Sequence, residues 1–581
     1  MALWVNKAHD YVLISSDWQK YVLAKNRLES VMKGKWEYEV IEELSWEDLV
    51  WLSYEPLFDF YKNIVDKNIN YKIYHADFIT DTDWTWIWHQ APEFWEVDFQ
   101  LWKEHGFYQT ECIDDECKFN AQVPDYKGIY VRDVNETIIQ RLKDESKLFK
   151  KENITHRVAI CPRTQVPLLY RTQDAWFLDV DWLKPKLLEQ NQNINWFPSH
   201  LKNWRFAKNI ETAPDWCLSR KRYWATPMPM WIGYDDQWNE KDKMVFGSIE
   251  EIEKISNMKI QDLHRPYIDD ITWKANGLTY KRVPFVLDVW LESWSMSLSQ
   301  FHYPFENKEM FEKAYPADFI VEYIWQVRAW FYVMHVVWVA LFGQNSYKNV
   351  ITTWVIAWND GRKMSKSFGN FTDPKLLLQT FGWDAIRLYM VSTPIVKWED
   401  LNFSDEWVKE IVKKIILPLW NTYYFFSTYA QIDNYNPIFK SLEEIKDFNF
   451  ENKLDKWIIS ALNVLIRDIK EWMESYDLQR ATHPIFEFMD NLTNWYIRRS
   501  RRRFWKSEND TDKIQWYQTL YIVLIELSKA LAPFIPFITE RIFKDLTSNE
   551  SVHLENYPAE ISSLTDEKLN QEMDTVQKII S

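Results

Sequence analysis

The chain has 581 residues, with 69 basic and 85 acidic side chains and a net charge of −16. Such a length implies two to four domains with sizeable cores. The acidic average excludes a surface that is basic throughout, so any contact with nucleic acid has to be a local patch. Four cysteines, Cys112, Cys117, Cys161 and Cys217, are too few for a disulfide framework and fit a reducing, cytoplasmic setting.

One pair of counts is out of line. Tryptophan occurs 35 times and glycine 10 times, whereas average glycine usage of about 7% would give roughly forty here. Taken together the two counts restore that figure. Several tryptophans also stand where a turn calls for glycine, as at Trp84 and Trp86 or in Phe381-Gly382-Trp383-Asp384. The pattern is that of a gene in which UGA specifies glycine, rendered with UGA as tryptophan.

In chain order, the first 150 residues alternate short β-type runs (Tyr11–Ile14, Tyr21–Leu23, Tyr71–Tyr74, Gly128–Val131) with turns, which predicts a β-rich module. It contains His89 and Asp98, nine residues apart in a loop-like segment that would be unremarkable alone. From about His156 to Thr393 strand and helix patterns mix, as in an α/β domain with insertions. Its most apolar run, Ala329–Gly343, is too short to span a bilayer. No charged segment followed by an apolar one opens the chain, so a soluble protein without a membrane partner is expected.

Within the α/β part, Pro214–Trp231 interleaves Arg220, Lys221 and Arg222 with aromatics before two prolines, a run suited to holding phosphate or ribose and equally to a basic surface turn. Asn359–Asn370 then sets Lys363 and Lys366 three apart with Ser365 between them, bracketed by Gly361 and Gly369. A mobile cationic loop of this kind suits a triphosphate whose charge shifts during reaction, although an isolated Lys-x-Ser-Lys reads as a solvated turn.

From about Ser404 the pattern turns helical. Trp457, Ile458, Leu462, Leu465, Ile469 and Trp472 recur at three- and four-residue spacings, the mark of bundled helices. Arg498, Arg499, Arg501, Arg502 and Arg503 fill five of six positions in one predicted helix. Spread around the helix they cannot all be paired internally, which points to a polyanion or to a solvated face.

Lys363-Met-Ser-Lys-Ser367 resembles the second signature of class I aminoacyl-tRNA synthetases. The resemblance extends through Pro214–Trp231, Val286–Met296, Phe301–Asn307, Tyr315–Glu322 and Gln326–Phe331. Asn494–Trp505 resembles the isoleucyl branch in particular, since valyl and leucyl relatives differ there. The resemblance implies an α/β fold: the C-terminal half of the Rossmann-like nucleotide-binding domain (156–400), a partial β-rich editing insertion (1–155) and an α-helical anticodon-binding bundle (401–581).

It further implies an ATP-dependent ligase that activates isoleucine and transfers it to tRNA(Ile), a cytoplasmic monomer using ATP with Mg²⁺. Lys363, Ser365 and Lys366 would be catalytic. Trp290 and Trp330 would face the amino acid side chain, whose apolar branch suits aromatic walls, though alone they would read as core tryptophans. Glu322 would contact the adenylate, with Gln326 one turn on. His89 and Asp98 would belong to an editing pocket that hydrolyses misacylated valine, and the five arginines would meet tRNA. Ala225 stands where the family usually has glycine and Trp325 where many relatives have aspartate, so neither receives a role.

The first class I signature, His-x-Gly-His, has no counterpart, because no two of the eleven histidines are three apart. The expectation is therefore a fragment lacking the N-terminal half. The alternatives are a synthetase-derived tRNA-binding or editing protein without activation, and a valine enzyme. Cys112 and Cys117 have no matching second pair, so no structural zinc and no other bound metal is expected.

Overall fold

The computed structural model describes residues 2–34, 37–77, 87–153, 155, 157–161, 164–358, 361–362, 364, 369–397, 401–505 and 511–580. They fall into two units, Met1–Asp174 and Ala175–Ser581, so the α/β and helical parts predicted as separate domains share the second unit.

In the first unit the strands follow from the apolar alternation. β1 (Leu3–Val5) pairs in parallel with one strand and antiparallel with another, introduced below. β2 (Tyr11–Ser16) is the centre of an antiparallel sheet between β3 (Gln19–Ala24) and β4 (Tyr38–Leu44). Period-2 geometry sends Val12 and Ile14 into one cluster with Leu23, Val31 and Met32, and Tyr11 into another with Val5, Leu49 and Ile73. Ser16 pairs with Gln19, so Asp17 and Trp18 alone make the hairpin turn, at φ 50° and 62°. β5 (Ile73–His75) runs parallel to β1 on one side, and β6 (Trp88–His89) runs antiparallel to it on the other. α1 (Glu96–His105) follows and ends on Gly106 in the left-handed conformation at φ 69°.

The second unit is built around a parallel sheet. After α2 (Lys184–Asn191) comes β7 (Asn195–Phe197). A separate antiparallel sheet holds β8 (Met230–Tyr234), β9 (Glu240–Val245), β10 (Trp273–Ala275) and β11 (Leu278–Arg282) in the order β9-β8-β11-β10. α3 (Val289–Ser299) leads back to the parallel sheet, where β12 (Ala317–Tyr323), α4 (Trp330–Phe342) and β13 (Tyr347–Thr353) form a strand–helix–strand crossover. β13 is central, with β12 and β7 as its parallel neighbours. β12 is thus an edge among the described strands, and its Phe319 and Val321 are 52% and 43% exposed.

Ile324–Phe342 is, among the described residues, a segment long and apolar enough to cross a membrane. Here Phe331–Val339 are all buried among α2, α3 and the parallel sheet, so the run serves as a core helix. Its His335 is fully buried, with Nε2 2.9 Å from the carbonyl of Leu187.

The helical part comprises α5 (Pro374–Ser392), α6 (Leu417–Ile432), α7 (Lys453–Glu474), α8 (Leu478–Asp490), α9 (Arg498–Phe504), α10 (Thr511–Leu531), α11 (Pro536–Thr547) and α12 (Glu567–Ile580). Trp457, Ile458, Leu462, Leu465 and Ile469 all point into one continuous core with α10, while Trp472 lies half-buried at its margin. Asp384 of α5 accepts the backbone N–H groups of Phe537 and Ile538 at 3.1 and 2.8 Å. It caps α11 across the bundle.

Burial lowers the pKa of His335 to about 4, against the partial support of its Leu187 hydrogen bond. The unfolded chain therefore binds a proton between about pH 6.5 and 4 that the folded chain refuses, and stability from this group is lost as pH falls through that window. A difference of this size is worth roughly 3 kcal/mol. Urea unfolding followed from pH 7 to pH 4 is expected to show that loss, and His335→Leu to remove most of it.

Candidate functional site

The α/β site is organised by Asp288, which sits at the N-cap of α3 with 2% exposure. Its Oδ1 accepts the N–H of Trp290 at 3.0 Å, and its Oδ2 accepts the indole N–H of Trp216 at 3.0 Å and the guanidinium of Arg220. The Thr226 N–H donates to Glu292 at 2.8 Å. Two carboxylates from one helix turn thus clamp the basic run Pro214–Trp231 against the start of α3. Trp290 lies in that first turn and is 37% exposed. Sequence reasoning singled out Trp290 and the basic run but passed over Asp288. An aspartate directly before an apolar helix was the available signal.

Glu322 is exposed near the C-terminal end of β12, with its carboxylate accepting the N–H of Tyr323 at 3.0 Å. Gln326 is half-buried in the turn that follows, and its side-chain oxygen accepts the N–H of Trp330 at 3.0 Å, capping α4. Trp330, half-buried, opens that helix. Ends of parallel strands are where open α/β sheets hold ligands. Glu322, Gln326 and Trp330 all fall within the strand end, turn and helix start that follow β12.

The lysine loop leaves the central strand β13. Lys363, Ser365 and Lys366 lie outside the described residues. On the described flanks, Gly361 and Gly369 are left-handed at φ 76° and 62°, Trp358 and Arg362 close a turn through a 2.8 Å hydrogen bond, and Met364 packs on the helical core. Asp373 caps α5 by accepting the N–H of Lys375 at 2.8 Å, with Pro374 at the first helical position.

In the first unit, His89 of β6 borders a cavity of about 610 Å³ walled by Tyr54, Phe58, Phe60, Tyr61 and Phe94. Its ring is open to the cavity, yet desolvation by the surrounding protein lowers its pKa to about 4, leaving a neutral imidazole near pH 7. Asp98 does not join it in that lining. Asp98 is 3% exposed, and its Oδ2 accepts the N–H of Ala91 at 2.7 Å while its backbone carbonyl accepts from the Gln90 side chain at 2.9 Å. Burial raises the Asp98 pKa, and the Ala91 bond works the other way. Asp98, expected in a pocket together with His89, braces the His89–Ala91 loop. Cys112 donates its thiol to buried Glu93 at 3.2 Å, and burial pushes that thiol up to about 12.

The five arginines separate into two kinds. Arg498, Arg499, Arg501 and Arg502 are exposed and make no ion pair among the described residues, while Arg499 stacks over Trp495 at 4.4 Å. Arg503 is 8% exposed and bidentate to Asp455 at 2.8 and 2.7 Å, with Asp512 at 2.7 Å and the Tyr496 hydroxyl also on Asp455 at 2.7 Å. Burial works against its charge, but Asp455 holds the guanidinium protonated. Arg503 is thereby committed to the bundle interior and does not face a ligand, a correction to its grouping with the other four.

Residues 62–404 match the family model described as tRNA synthetases class I (I, L, M and V), and residues 455–581 match the anticodon-binding domain of tRNA ligase. The whole chain aligns at 42% identity with isoleucine–tRNA ligases of Treponema denticola and Protochlamydia amoebophila, and at 40% with that of Chlamydia trachomatis serovar L2. In each case it covers 55% of the relative, so the chain spans about half the length of the curated relatives it matches. Among solved structures, an Agrobacterium radiobacter K84 LeuRS–tRNA–LeuAMS complex aligns over 96% of this chain and 63% of its own, at 16% identity and a TM-score of 0.45. A Mycobacterium tuberculosis methionyl-tRNA synthetase with methionyl-adenylate aligns over 67% and 65%, at 17% identity and a TM-score of 0.47.

Removing one partner of a buried ion pair strands the other charge, at about 3–5 kcal/mol. Chemical denaturation is therefore expected to show Arg503→Ala and Asp455→Ala destabilised by that amount, with Arg499→Ala within about 1 kcal/mol of the parent.

Proposed function

The chain belongs to the class I tRNA synthetases of the isoleucine, leucine, methionine and valine group, and from that premise we propose that it is part of an isoleucine–tRNA ligase. The carrying observation is identity of 40–42% to isoleucine–tRNA ligases sustained along the entire chain. In this reading the isoleucine carboxylate attacks the α-phosphorus of ATP, supplied as its magnesium complex, and pyrophosphate leaves. The resulting adenylate passes the isoleucyl group to the terminal ribose of tRNA(Ile).

Lys363 and Lys366 steady the triphosphate as negative charge moves onto pyrophosphate, with Ser365 beside them. Trp290 and Trp330 line the aliphatic side chain, and Glu322 and Gln326 hold the adenylate from the end of β12. Arg498, Arg499, Arg501 and Arg502 meet tRNA phosphates as an exposed row on α9. An apolar pocket separates isoleucine from valine by only about 1–3 kcal/mol, one methylene's worth. Hydrolysis of valyl-tRNA(Ile) in the cavity bordered by His89 supplies the remainder.

Two measurements test the reading. A protein extended to the length of the relatives is expected to catalyse isoleucine-dependent ATP–pyrophosphate exchange. Exchange with valine but not isoleucine would make it a valine enzyme. No exchange, with tRNA binding retained, would favour a synthetase-derived tRNA-binding or editing protein. In the second, filter binding of tRNA(Ile) across a salt series is expected to lose about 1 from the log–log slope for each of Arg498, Arg499, Arg501 and Arg502 changed to alanine.

A further inference from the structure

Eight glycines of this chain adopt positive φ, and a Cβ placed on any of them would meet open space. What those positions need from glycine is the backbone conformation, not room. Trp18, Trp51 and Trp238 share that conformation, at φ 62°, 69° and 61°. Left-handed backbone costs an L-residue with a side chain about 1–2 kcal/mol.

The local turns say which residue belongs there. Asp17–Trp18 is a two-residue hairpin with both φ positive, the type I′ turn for which Asp-Gly is a preferred pair. In the β8–β9 hairpin, Trp238 donates its N–H to the carbonyl of Asp235 at 3.0 Å and then turns left-handed before β9. That is a β-turn followed by the glycine position of a bulge. Trp51 follows the short helix Trp46–Leu49 and donates its N–H to Ile73 at 2.8 Å.

Packing does not compensate. Trp18 is 101% exposed, and Trp51 and Trp238 are 62% and 61% exposed. Their best contacts are Trp51 edge-on to Tyr74 at 5.0 Å, worth about 0.5–1.5 kcal/mol, and Lys281 over the Trp238 ring at 4.3 Å, worth about 0.5–1 kcal/mol at an exposed site. Most of each ring stays in water. Tyr71 is also left-handed, at φ 60°, but it is 6% exposed and its ring packs on Tyr54 at 5.9 Å, so there burial offsets the strain. Another set of tryptophans behaves as tryptophan should. Trp196 and Trp231 are buried, with their indole N–H groups donating to Asn191 and to the Ile271 carbonyl at 3.0 and 2.7 Å, and Trp216 donates to Asp288.

We infer that the tryptophans of this chain are two populations with two codons: glycine, from UGA, is the native residue at positions 18, 51 and 238, and tryptophan, from UGG, is native at 196, 216 and 231. The assignment goes beyond the composition argument because it names positions by conformation and is independent of the enzymatic reading.

The test is peptide mass mapping of the protein isolated from its source, with the codons read at the same six positions. Expected are glycine masses and UGA at 18, 51 and 238, and tryptophan masses and UGG at 196, 216 and 231. Tryptophan at any of the first three, or glycine at any of the last three, overturns the sorting. A recombinant comparison supplies a second readout. Trp18→Gly, Trp51→Gly and Trp238→Gly combined are expected to raise the unfolding temperature of the chain, and Trp231→Gly to lower it. A lowered temperature for the triple variant would count against the inference.

Discussion

The buried pair of Asp455 and Arg503 decides what the rest of the basic helix can do. With Asp455 fully enclosed and Tyr496 and Arg503 closing around it, α9 has one rotational setting that keeps the charge paired. In that setting Ser500 and Arg503 face inward, and Arg498, Arg499, Arg501 and Arg502 face out. Rotating the helix to bring a fifth arginine to the surface would leave the Asp455 carboxylate unpaired in the interior, a far larger penalty than one more phosphate contact could offset. A stability element thus determines which cations of α9 reach the surface.

The same device recurs where separate stretches of chain must be held in register. Asp288 ties the basic run to the start of α3, Asp384 caps α11 from α5, and Asp98 braces the loop that carries His89. Each is an aspartate at least nine-tenths buried that accepts from backbone or side-chain donors elsewhere in the chain. Buried carboxylates of this kind are satisfied by directional bonds, so they locate their neighbours more narrowly than apolar packing does. That precision is what a binding site at Trp290 or His89 would require.

Much of this was legible in the residues alone. Period-3.6 spacing from Trp457 to Ile469 predicted α7 and its core face, and alternation at Tyr11–Ile14 predicted β2. The motif strings placed the chain in its family. The parts that were not legible depend on long-range pairing. Nothing adjacent to Arg503 in sequence separates it from Arg502; Asp455, nearly fifty positions earlier, makes the difference. Asp98 was unremarkable in the residues alone and was placed in a pocket only by the resemblance; its partner, the Ala91 N–H, becomes a partner only once the loop has turned. Asp288 went unremarked because its partners Trp216 and Arg220 lie 72 and 68 positions earlier and come beside it only when Ser219–Arg220 pairs with Val286–Leu287.

The outer edge of β12 has a practical side. Its seven residues form a long strand that ends the parallel sheet among the described residues, with the Phe319 and Val321 side chains uncovered beside a row of backbone donors and acceptors. Natural sheets blunt such an edge with proline, lysine or a bulge, and the only charges here are Asp318 and Glu322 near its ends. An edge of this kind is a template for strand pairing, so when the chain is handled by itself at high concentration its tendency to associate depends on local backbone exposure as well as on net charge.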